Sequence, residues 1–262
     1  MAGVYQLFSG SSGNCTYIGA GDHGILIDAG VSAKRITLAL QQRELDPAGI
    51  RAIFVTHEHT DHICGVRVLA DKFGIPVFAS EGTLLAMEAE DHLPRKSDAY
   101  ILDLPRIAIG DFEISSFRTS HDAAESCGYR VTLPDGRGVA VCTDLGFVSQ
   151  GVREGIAGCD VIVMESNHDP NMLRTGPYPG YLKERIAGRR GHLSNGDCAA
   201  ELPRLVQTGT TRLILSHLSK ENNIPTLARR IAEGALKDAG ITVGRDCLIT
   251  VAAPCDTPPV LL

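Results

Sequence analysis

Short apolar runs bounded by polar turn residues recur along this sequence, and runs of this kind are typical of buried strands. Between them, apolar residues recur at the spacing of amphipathic helices. In the first 100 residues the pattern predicts strands at 4–8, 15–18, 24–27, 52–55 and 76–79. It predicts helices at 62–73 and 82–92, and a helix capped by Ser32 that carries apolar positions from Ile36 to Leu45.

The middle of the chain changes to closely spaced strands, because turn residues such as Asp135 and Gly136 interrupt it. Strands are predicted here at 101–104, 107–109, 112–118, 129–133 and 138–142. The remainder alternates again, with strands at 161–164, 213–215 and 247–251 and helices at 181–187, after Ser194 and at 225–239. No linker or low-complexity tract divides the chain. We therefore expect one α/β (α+β) domain over residues 1–262, with two packed sheets and helices outside.

The composition is that of an ordinary globular protein, with 44% hydrophobic and 21% charged residues. No apolar run approaches the roughly 20 residues that span a bilayer, so no membrane partner is expected. The N-terminus lacks a basic segment followed by an apolar stretch, so export is not expected either. Eight cysteines are scattered without a C-x-x-C pair, which is typical of reduced, mostly buried thiols. Together these features predict a cytoplasmic location.

The net charge of −6 argues weakly against a nucleic acid partner, since such proteins usually carry a basic patch. The charge is unevenly distributed, however. Residues 171–192 contain five basic side chains and one acidic side chain. Bound divalent cations would also cancel local negative charge. The charge therefore leaves the partner open, and the sequence does not predict an oligomeric state.

One six-residue segment, His57-Glu58-His59-Thr60-Asp61-His62, concentrates three imidazoles and a carboxylate. His57 and His59 are two positions apart, so on an extended segment their side chains point the same way. Asp61 and His62 follow as the chain turns and can face a second cation. Two-metal hydrolytic sites hold their cations about 3.5–4 Å apart, so one short loop can serve both. We interpret the cluster as part of a two-metal site rather than a chance run of polar loop residues.

Three further residues have the type and the location to complete such a site. His121 follows the predicted strand 112–118, Asp144 follows the strand 138–142, and His217 follows the strand 213–215. A single histidine at a strand end is more often a hydrogen-bonded structural residue. The recurrence of strand-end ligands beside the six-residue cluster favours metal binding instead.

The order H-x-H-x-D-H, a lone histidine, a strand-end aspartate and a final histidine resembles the metallo-β-lactamase superfamily over essentially the whole chain. The resemblance implies that superfamily's four-layer αβ/βα sandwich. It also implies a ligand set for two divalent ions: His57, His59 and His121 for one, Asp61, His62 and His217 for the other, and Asp144 between them. Imidazoles suit Zn or Mn and carboxylates suit Mn or Mg, so the native ion stays open.

Four segments resemble the bacterial YycJ/WalJ family, whose members are regarded as 5′→3′ exonucleases acting on DNA. These segments are Gly10-Ser-Ser-Gly-Asn-Cys15, Glu165-Ser-Asn-His-Asp169, Thr175-Gly-Pro-Tyr-Pro179 and Gly191-His-Leu-Ser-Asn195. Glu165 and His192 also resemble the pair with which related tRNA-processing nucleases orient a histidine over the leaving group. The resemblance implies four catalytic residues, namely Asp61, Asp144, Glu165 and His192.

Candidate substrate contacts lie in the same segments, and each has a structural alternative. The loop that contains Ser11, Ser12 and Asn14 can hold a phosphate through its amides and hydroxyls, or can be only a hairpin turn. Lys183 and Arg185 can contact a phosphate backbone, or can form a solvated helix face. The last two candidates are His168, which can instead make a loop hydrogen bond, and Asn195.

We therefore expect a two-metal phosphodiesterase, an exonuclease whose partner is DNA. The first alternative keeps the metal site but gives it a small thioester or cyclic phosphodiester as substrate. The second is a metal-bound regulator without catalytic activity, which the complete set of ligands disfavours. Preference for DNA over RNA and the polarity of degradation depend on the family resemblance alone.

Overall fold

The computed structural model of the chain describes residues 2–103 and 105–262. Within them, two sheets of seven strands each form the centre of the molecule. The strands are β1 Ala2–Phe8, β2 Cys15–Ala20, β3 His23–Ile27, β4 Ile50–Phe54, β5 Val77–Ala79, β6 Ala99–Ile101, β7 Ile107–Ile109, β8 Phe112–Arg118, β9 Cys127–Thr132, β10 Gly138–Cys142, β11 Val161–Glu165, β12 Arg212–Ser216, β13 Leu248–Val251 and β14 Val260–Leu261.

Helices connect and cover these strands. They are α1 Ala33–Gln41, α2 Thr60–Ile63, α3 Val66–Phe73, α4 Glu81–Ala89, α5 Gln150–Ile156, α6 Pro170–Thr175, α7 Gly180–Ala187, α8 Asn195–Gln207 and α9 Pro225–Asp238. A 3-10 turn, Pro47–Gly49, precedes β4. None of the described helices is long and apolar enough to cross a membrane.

Alternating side chains of the strands supply three hydrophobic layers, as the pleat of a strand requires. Ile25 and Ile27 of β3 lie in the central layer, together with Val141 of β10. Leu26 lies in the layer that joins the first sheet to α1 and α3. Cys142 lies in the layer that joins the second sheet to α5, α8 and α9. The order helix, sheet, sheet, helix confirms the predicted four-layer sandwich.

The direction of the strands brings polar residues to one edge of both sheets. The sheet orders are β14-β1-β2-β3-β4-β5-β6 and β13-β12-β11-β10-β9-β8-β7. Strands β3 to β6 are parallel, as are β10 to β13, so their carboxyl ends meet. Asp28 follows β3 and Asp144 follows β10, while Glu165 ends β11 and pairs in register with Ser216, the residue before His217.

Most predicted elements are confirmed to within a few residues, but the single helix predicted at 62–73 is wrong. The structure has two helices there, α2 and α3, separated at Gly65. The Gly65 amide donates a 2.8 Å hydrogen bond to the Ala29 carbonyl. A Cβ on Gly65 would lie 2.2 Å from the Val31 carbonyl oxygen, so close backbone packing interrupts the helix.

Other boundaries also differ from the sequence pattern. Ser32 occupies the N-cap position of α1 without a side-chain capping bond, and Leu45 lies beyond the end of that helix. The strand predicted at 101–104 is found at Ala99–Ile101, and Leu104 lies outside the described residues. The pattern missed α5, α6, the 3-10 turn and β14. These elements are short, and β14 forms only by pairing with β1.

Gly30 fixes the connection after β3 against the six-residue cluster, and we predict that Gly30→Ala disrupts it. A Cβ at this position would lie 1.6 Å from the Asp61 carbonyl oxygen, so the backbone must move. We expect a loss of about 1–3 kcal/mol or more in the free energy of unfolding. Denaturant titration measures this loss, and metal binding should weaken in parallel.

Gly234→Ala in α9 is the matched control, because a Cβ there would meet nothing within 4 Å. It should stabilise the protein by about 0.4–1 kcal/mol. Equal stability of Gly30→Ala and Gly234→Ala would contradict the role assigned to Gly30.

Candidate metal centre

Three histidines converge beyond the end of β4. His57 and His59 lie with ring centroids 4.6 Å apart, and both rings lie within 5.0 Å of the ring of His121. One ring nitrogen from each of the three lies within 4.8 Å of the others. His57 and His59 thus face one point, as their spacing of two on an extended segment predicts.

A second group of three side chains lies beside the first. Asp61, His62 and His217 each offer one ligand atom within 4.8 Å of the others. Asp144 lies between the two groups: its Oδ2 is 3.3 Å from Nε2 of His62, and its Oδ1 is 3.8 Å from Nε2 of His121. The seven residues predicted as metal ligands therefore form two adjacent groups that share one carboxylate.

Three polar atoms in this cluster are buried without a hydrogen-bond partner in the described part of the chain. They are Nε2 of His57, Oδ2 of Asp144 and Nε2 of His217. Leaving such atoms unpaired costs free energy, and native structures rarely do so without a reason. Imidazole nitrogens and a carboxylate oxygen are also the ligands that Zn and Mn accept. The residues present thus fit a pair of divalent cations.

The charges of the cluster balance one another. Burial lowers the pKa of His57 well below its ordinary value, which keeps the imidazole neutral and able to bind a cation. Burial favours protonation of Asp144, but His217 and His62 outweigh it and hold the pKa of that carboxyl well below its usual range. The reverse holds for His217: burial opposes its charge, yet Asp144, Asp61 and Glu165 raise its pKa to about 10.

Asp28 orients the ring of His62 from behind, and sequence reasoning missed it. Oδ2 of Asp28 lies 2.7 Å from Nδ1 of His62, so Nε2 faces the cluster. The same carboxylate accepts 2.8 and 2.9 Å hydrogen bonds from the amide and hydroxyl of Thr56. Asp28 directly follows β3, so the strand-end criterion that selected Asp144 could have found it.

A second orienting contact acts on the other group. Nδ1 of His121 donates a 3.0 Å hydrogen bond to the carbonyl of Gly191. Nε2 of His121 therefore faces Asp144. Such outer contacts fix the tautomer and direction of a ligating imidazole.

Glu165 is buried beneath the cluster and binds two histidines rather than one. Its Oε1 lies 2.8 Å from Nδ1 of His192 and 2.8 Å from Nδ1 of His217. Its Oε2 accepts 3.0 Å hydrogen bonds from the amides of Leu145 and Leu193. The sequence indicated only the pair with His192.

His192 lies at the open side of the cluster, where its side chain is 16% exposed. Burial opposes its charge, but Glu165 and Asp144 raise the pKa of the imidazole above its ordinary value. With Nδ1 occupied by Glu165, Nε2 is the atom that can meet a substrate. Glu165 and His192 are thus in contact, as the resemblance implies.

The predicted substrate contacts are scattered, and their role stays a prediction. Ser11 and Ser12 are exposed on the loop before β2. Asn14 is buried, with Nδ2 only 3.0 Å from Nε2 of His62, so its amide contacts the metal cluster itself. Asn195 is buried too, and its side-chain Oδ1 accepts a 2.7 Å hydrogen bond from the Ser166 hydroxyl.

Of the remaining candidate substrate contacts, one lies beside the metal cluster and two do not. Arg185 pairs with Asp122, whose other oxygen lies 3.3 Å from Nε2 of His121. Arg185 therefore lies at the edge of the cluster. The Lys183 ammonium donates to the Arg174 carbonyl, and His168 is buried with its Nδ1 unpaired among the described residues. Neither Lys183 nor His168 contacts the seven residues predicted as metal ligands.

The fold and the site together define a class. A sequence profile of the metallo-β-lactamase superfamily matches residues 9–217. The solved structure of YhfI from Bacillus subtilis, a metallo-β-lactamase fold protein, superposes with a TM-score of 0.72 at 15% identity and covers 99% of this chain and 98% of its own. The fold prediction is confirmed.

Two relatives narrow the class. Exodeoxyribonuclease WalJ of Streptococcus pneumoniae is 39% identical over 97% of this chain and 95% of its own length. Exodeoxyribonuclease YycJ of Bacillus anthracis is 40% identical over 91% of this chain and 90% of its own length. The chain therefore belongs to the metallo-β-lactamase superfamily and, within it, to the WalJ/YycJ family.

The contact between Asp28 and His62 predicts that Asp28→Asn weakens metal binding. The substitution keeps the shape but removes the charge that fixes the imidazole. We expect an affinity for Zn lower by about 10–100-fold, measured by titration against a chelator. Asp22→Asn is the control, because Asp22 is exposed on the turn between β2 and β3. Unchanged affinity in Asp28→Asn would refute the orienting role.

Proposed function

We propose that this protein is a metal-dependent exonuclease that hydrolyses phosphodiester bonds of DNA from the 5′ end. The two three-residue groups that share Asp144 are the observation that carries the proposal. The names of the WalJ and YycJ relatives support DNA as the substrate. We also propose that the chain is one domain and that it acts in the cytoplasm.

The proposed ions are two divalent cations, Zn or Mn, with Mg as a further candidate. His57, His59 and His121 would hold one, and Asp61, His62 and His217 the other, with the carboxylate of Asp144 between the two groups. Bound there, the pair supplies Lewis-acid chemistry, which activates water and neutralises charge on phosphoryl oxygens. Asn14 positions Asp61 and His62 from the side, because its Nδ2 lies 3.3 Å from Oδ2 of Asp61.

His192 is the proposed general acid. Glu165 holds its Nδ1, so the proton on Nε2 can pass to the 3′ oxygen that leaves when the phosphodiester bond breaks. Because Glu165 also contacts His217, the acid and one metal ligand are oriented by the same carboxylate. This shared contact couples the position of the proton donor to that of the ligand.

A basic segment beside the first group supports a nucleic acid substrate. We define the basic segment as residues 183–190. Arg185 pairs with Asp122, and the Arg190 guanidinium donates a 3.2 Å hydrogen bond to the His121 carbonyl. The backbone of Arg189 is also fixed there, by a 2.6 Å hydrogen bond from the Ser120 hydroxyl to its carbonyl. Basic side chains near a hydrolytic site favour the binding of a polyanion such as DNA.

His192→Ala should slow turnover without removing metal. The general acid contributes about 10²–10⁴-fold, so we expect kcat on DNA to fall by that factor. The metal content, measured by elemental analysis, should stay the same because His192 is not one of the seven proposed ligands. His23→Ala is the control, since His23 pairs with Asp22 at the surface. Full activity of His192→Ala would remove the acid role.

The proposed substrate is tested by digestion of end-labelled single- and double-stranded DNA and RNA with Zn, Mn or Mg supplied. We expect DNA to shorten from its 5′ end. Asp144→Asn should be inactive, because it removes the charge shared by both groups. Any digestion by this variant would therefore reveal a contaminating nuclease. Hydrolysis of only small thioesters or cyclic phosphodiesters would overturn the proposal.

A further inference from the structure

A cleft of about 670 Å³ opens beside the second metal group. One wall is the loop before β2, from Ser9 to Ser12, and another is the segment 218–221 that follows His217. We call this space the side cleft. Its volume lies within the range of about 300–1,000 Å³ that is typical of ligand sites.

The side cleft and the second metal group share a wall. The Ser9 hydroxyl accepts a 2.8 Å hydrogen bond from the amide of His217 and lies 3.0 Å from the Ser216 hydroxyl. Asn14, at the other end of the same loop, accepts a 2.9 Å hydrogen bond from the Gly10 amide and contacts His62. The loop that forms one wall of the side cleft therefore also contacts His62 and the backbone of His217, so the side cleft adjoins the second group.

The walls combine an aromatic ring, a cation and free backbone amides. Tyr178 and Lys220 both line the side cleft, and Lys220 is the one cation among its described lining residues. Neither side chain makes a hydrogen bond or an ion pair within the described chain. The amides of Ser11 and Ser12 likewise have no acceptor there, and both residues are exposed. Glu221 is the one acidic residue of the lining.

The loop that carries Tyr178 contacts Asn222, which directly follows the wall segment 218–221. A Cβ on Gly176 would lie 2.5 Å from Oδ1 of Asn222, so the loop packs directly on that side chain. The Asp169 amide, before α6, donates a 2.9 Å hydrogen bond to the Asn222 carbonyl. The backbone on either side of α6 is therefore anchored to Asn222, two residues after Lys220.

We propose that the side cleft holds one nucleotide of the DNA strand next to the scissile phosphate. This inference rests on the proposed function. The base stacks on Tyr178, an interaction that tolerates any sequence because every base has a π-face. Its phosphate meets Lys220 and the amides of Ser11 and Ser12, which suit an anion.

The position of the basic segment agrees with a DNA strand that continues from the side cleft across both metal groups. The basic segment adjoins His121 of the first group, whereas the side cleft adjoins His217 of the second. A strand that crosses both groups thus meets cations or free amides before and after the bond that breaks. Lys220 and the Ser11–Ser12 amides act at one end, and Arg185 and Arg190 act at the other.

The test combines variants of Tyr178 with oligonucleotides that lack one base near the scissile bond. In the wild-type protein, one abasic position should lower kcat/KM by about tenfold or more, since stacking on an aromatic ring is lost. Tyr178→Leu should show the same loss on normal DNA and no further loss at that abasic position. Tyr178→Phe keeps the ring and should behave as wild type.

Lys220→Gln tests the phosphate contact, with Lys237→Gln on the exposed side of α9 as the matched control. The slope of log affinity against log salt should fall by about 0.7 for Lys220→Gln, because one phosphate contact is lost, and should not change for Lys237→Gln. Two results would contradict the proposal while DNA is still digested. One is that Tyr178→Leu and the abasic position lower kcat/KM independently of each other. The other is that the salt slope of Lys220→Gln equals that of the wild type. If wild-type protein digests no DNA, the proposed function itself fails.

Discussion

The buried carboxylate of Asp144 is the group around which the site is organised. It follows β10 in the left-handed backbone region, with φ of 58°, and its two oxygens lie near imidazole nitrogens of both groups of ligands. A buried charge is costly unless opposite charges or cations surround it. Histidines from three distant stretches of the chain supply that surrounding, and the atoms that remain unpaired, such as Nε2 of His57, are those that suit a cation.

Two further carboxylates hold this arrangement from outside. Asp28 faces His62, and Glu165 faces both His192 and His217. Asp28 and His217 share the left-handed conformation of Asp144, with φ of 62° and 56°. Such backbone is uncommon outside glycine and concentrates at functional sites, where the surrounding packing maintains it. At these strand ends, the left-handed backbone helps to set the direction in which Asp28, Asp144 and His217 point.

The surroundings of the cluster explain how an acidic protein can act on a polyanion. The net charge is −6, but the basic segment lies at one side of the cluster and Lys220 at the other. Acidic residues at the centre, including Asp61 and Asp144, are the ones that cations would neutralise. Local placement of charge, rather than its sum, therefore decides what the site can bind.

The sequence by itself predicted the layered architecture and the seven residues that we propose as metal ligands. Short continuous apolar runs predicted that β3 and β10 are buried strands, and the spacing of His57 and His59 predicted their common direction, because both patterns are local. Asp28 was missed because an aspartate after a strand resembles any turn residue, and its partner is 34 positions away. Likewise, the contact of Glu165 with His217 depends on the register of β11 and β12, and the side cleft joins four segments far apart in the chain. Only the tertiary structure decided these features, since packing and register bring together residues that no local pattern relates.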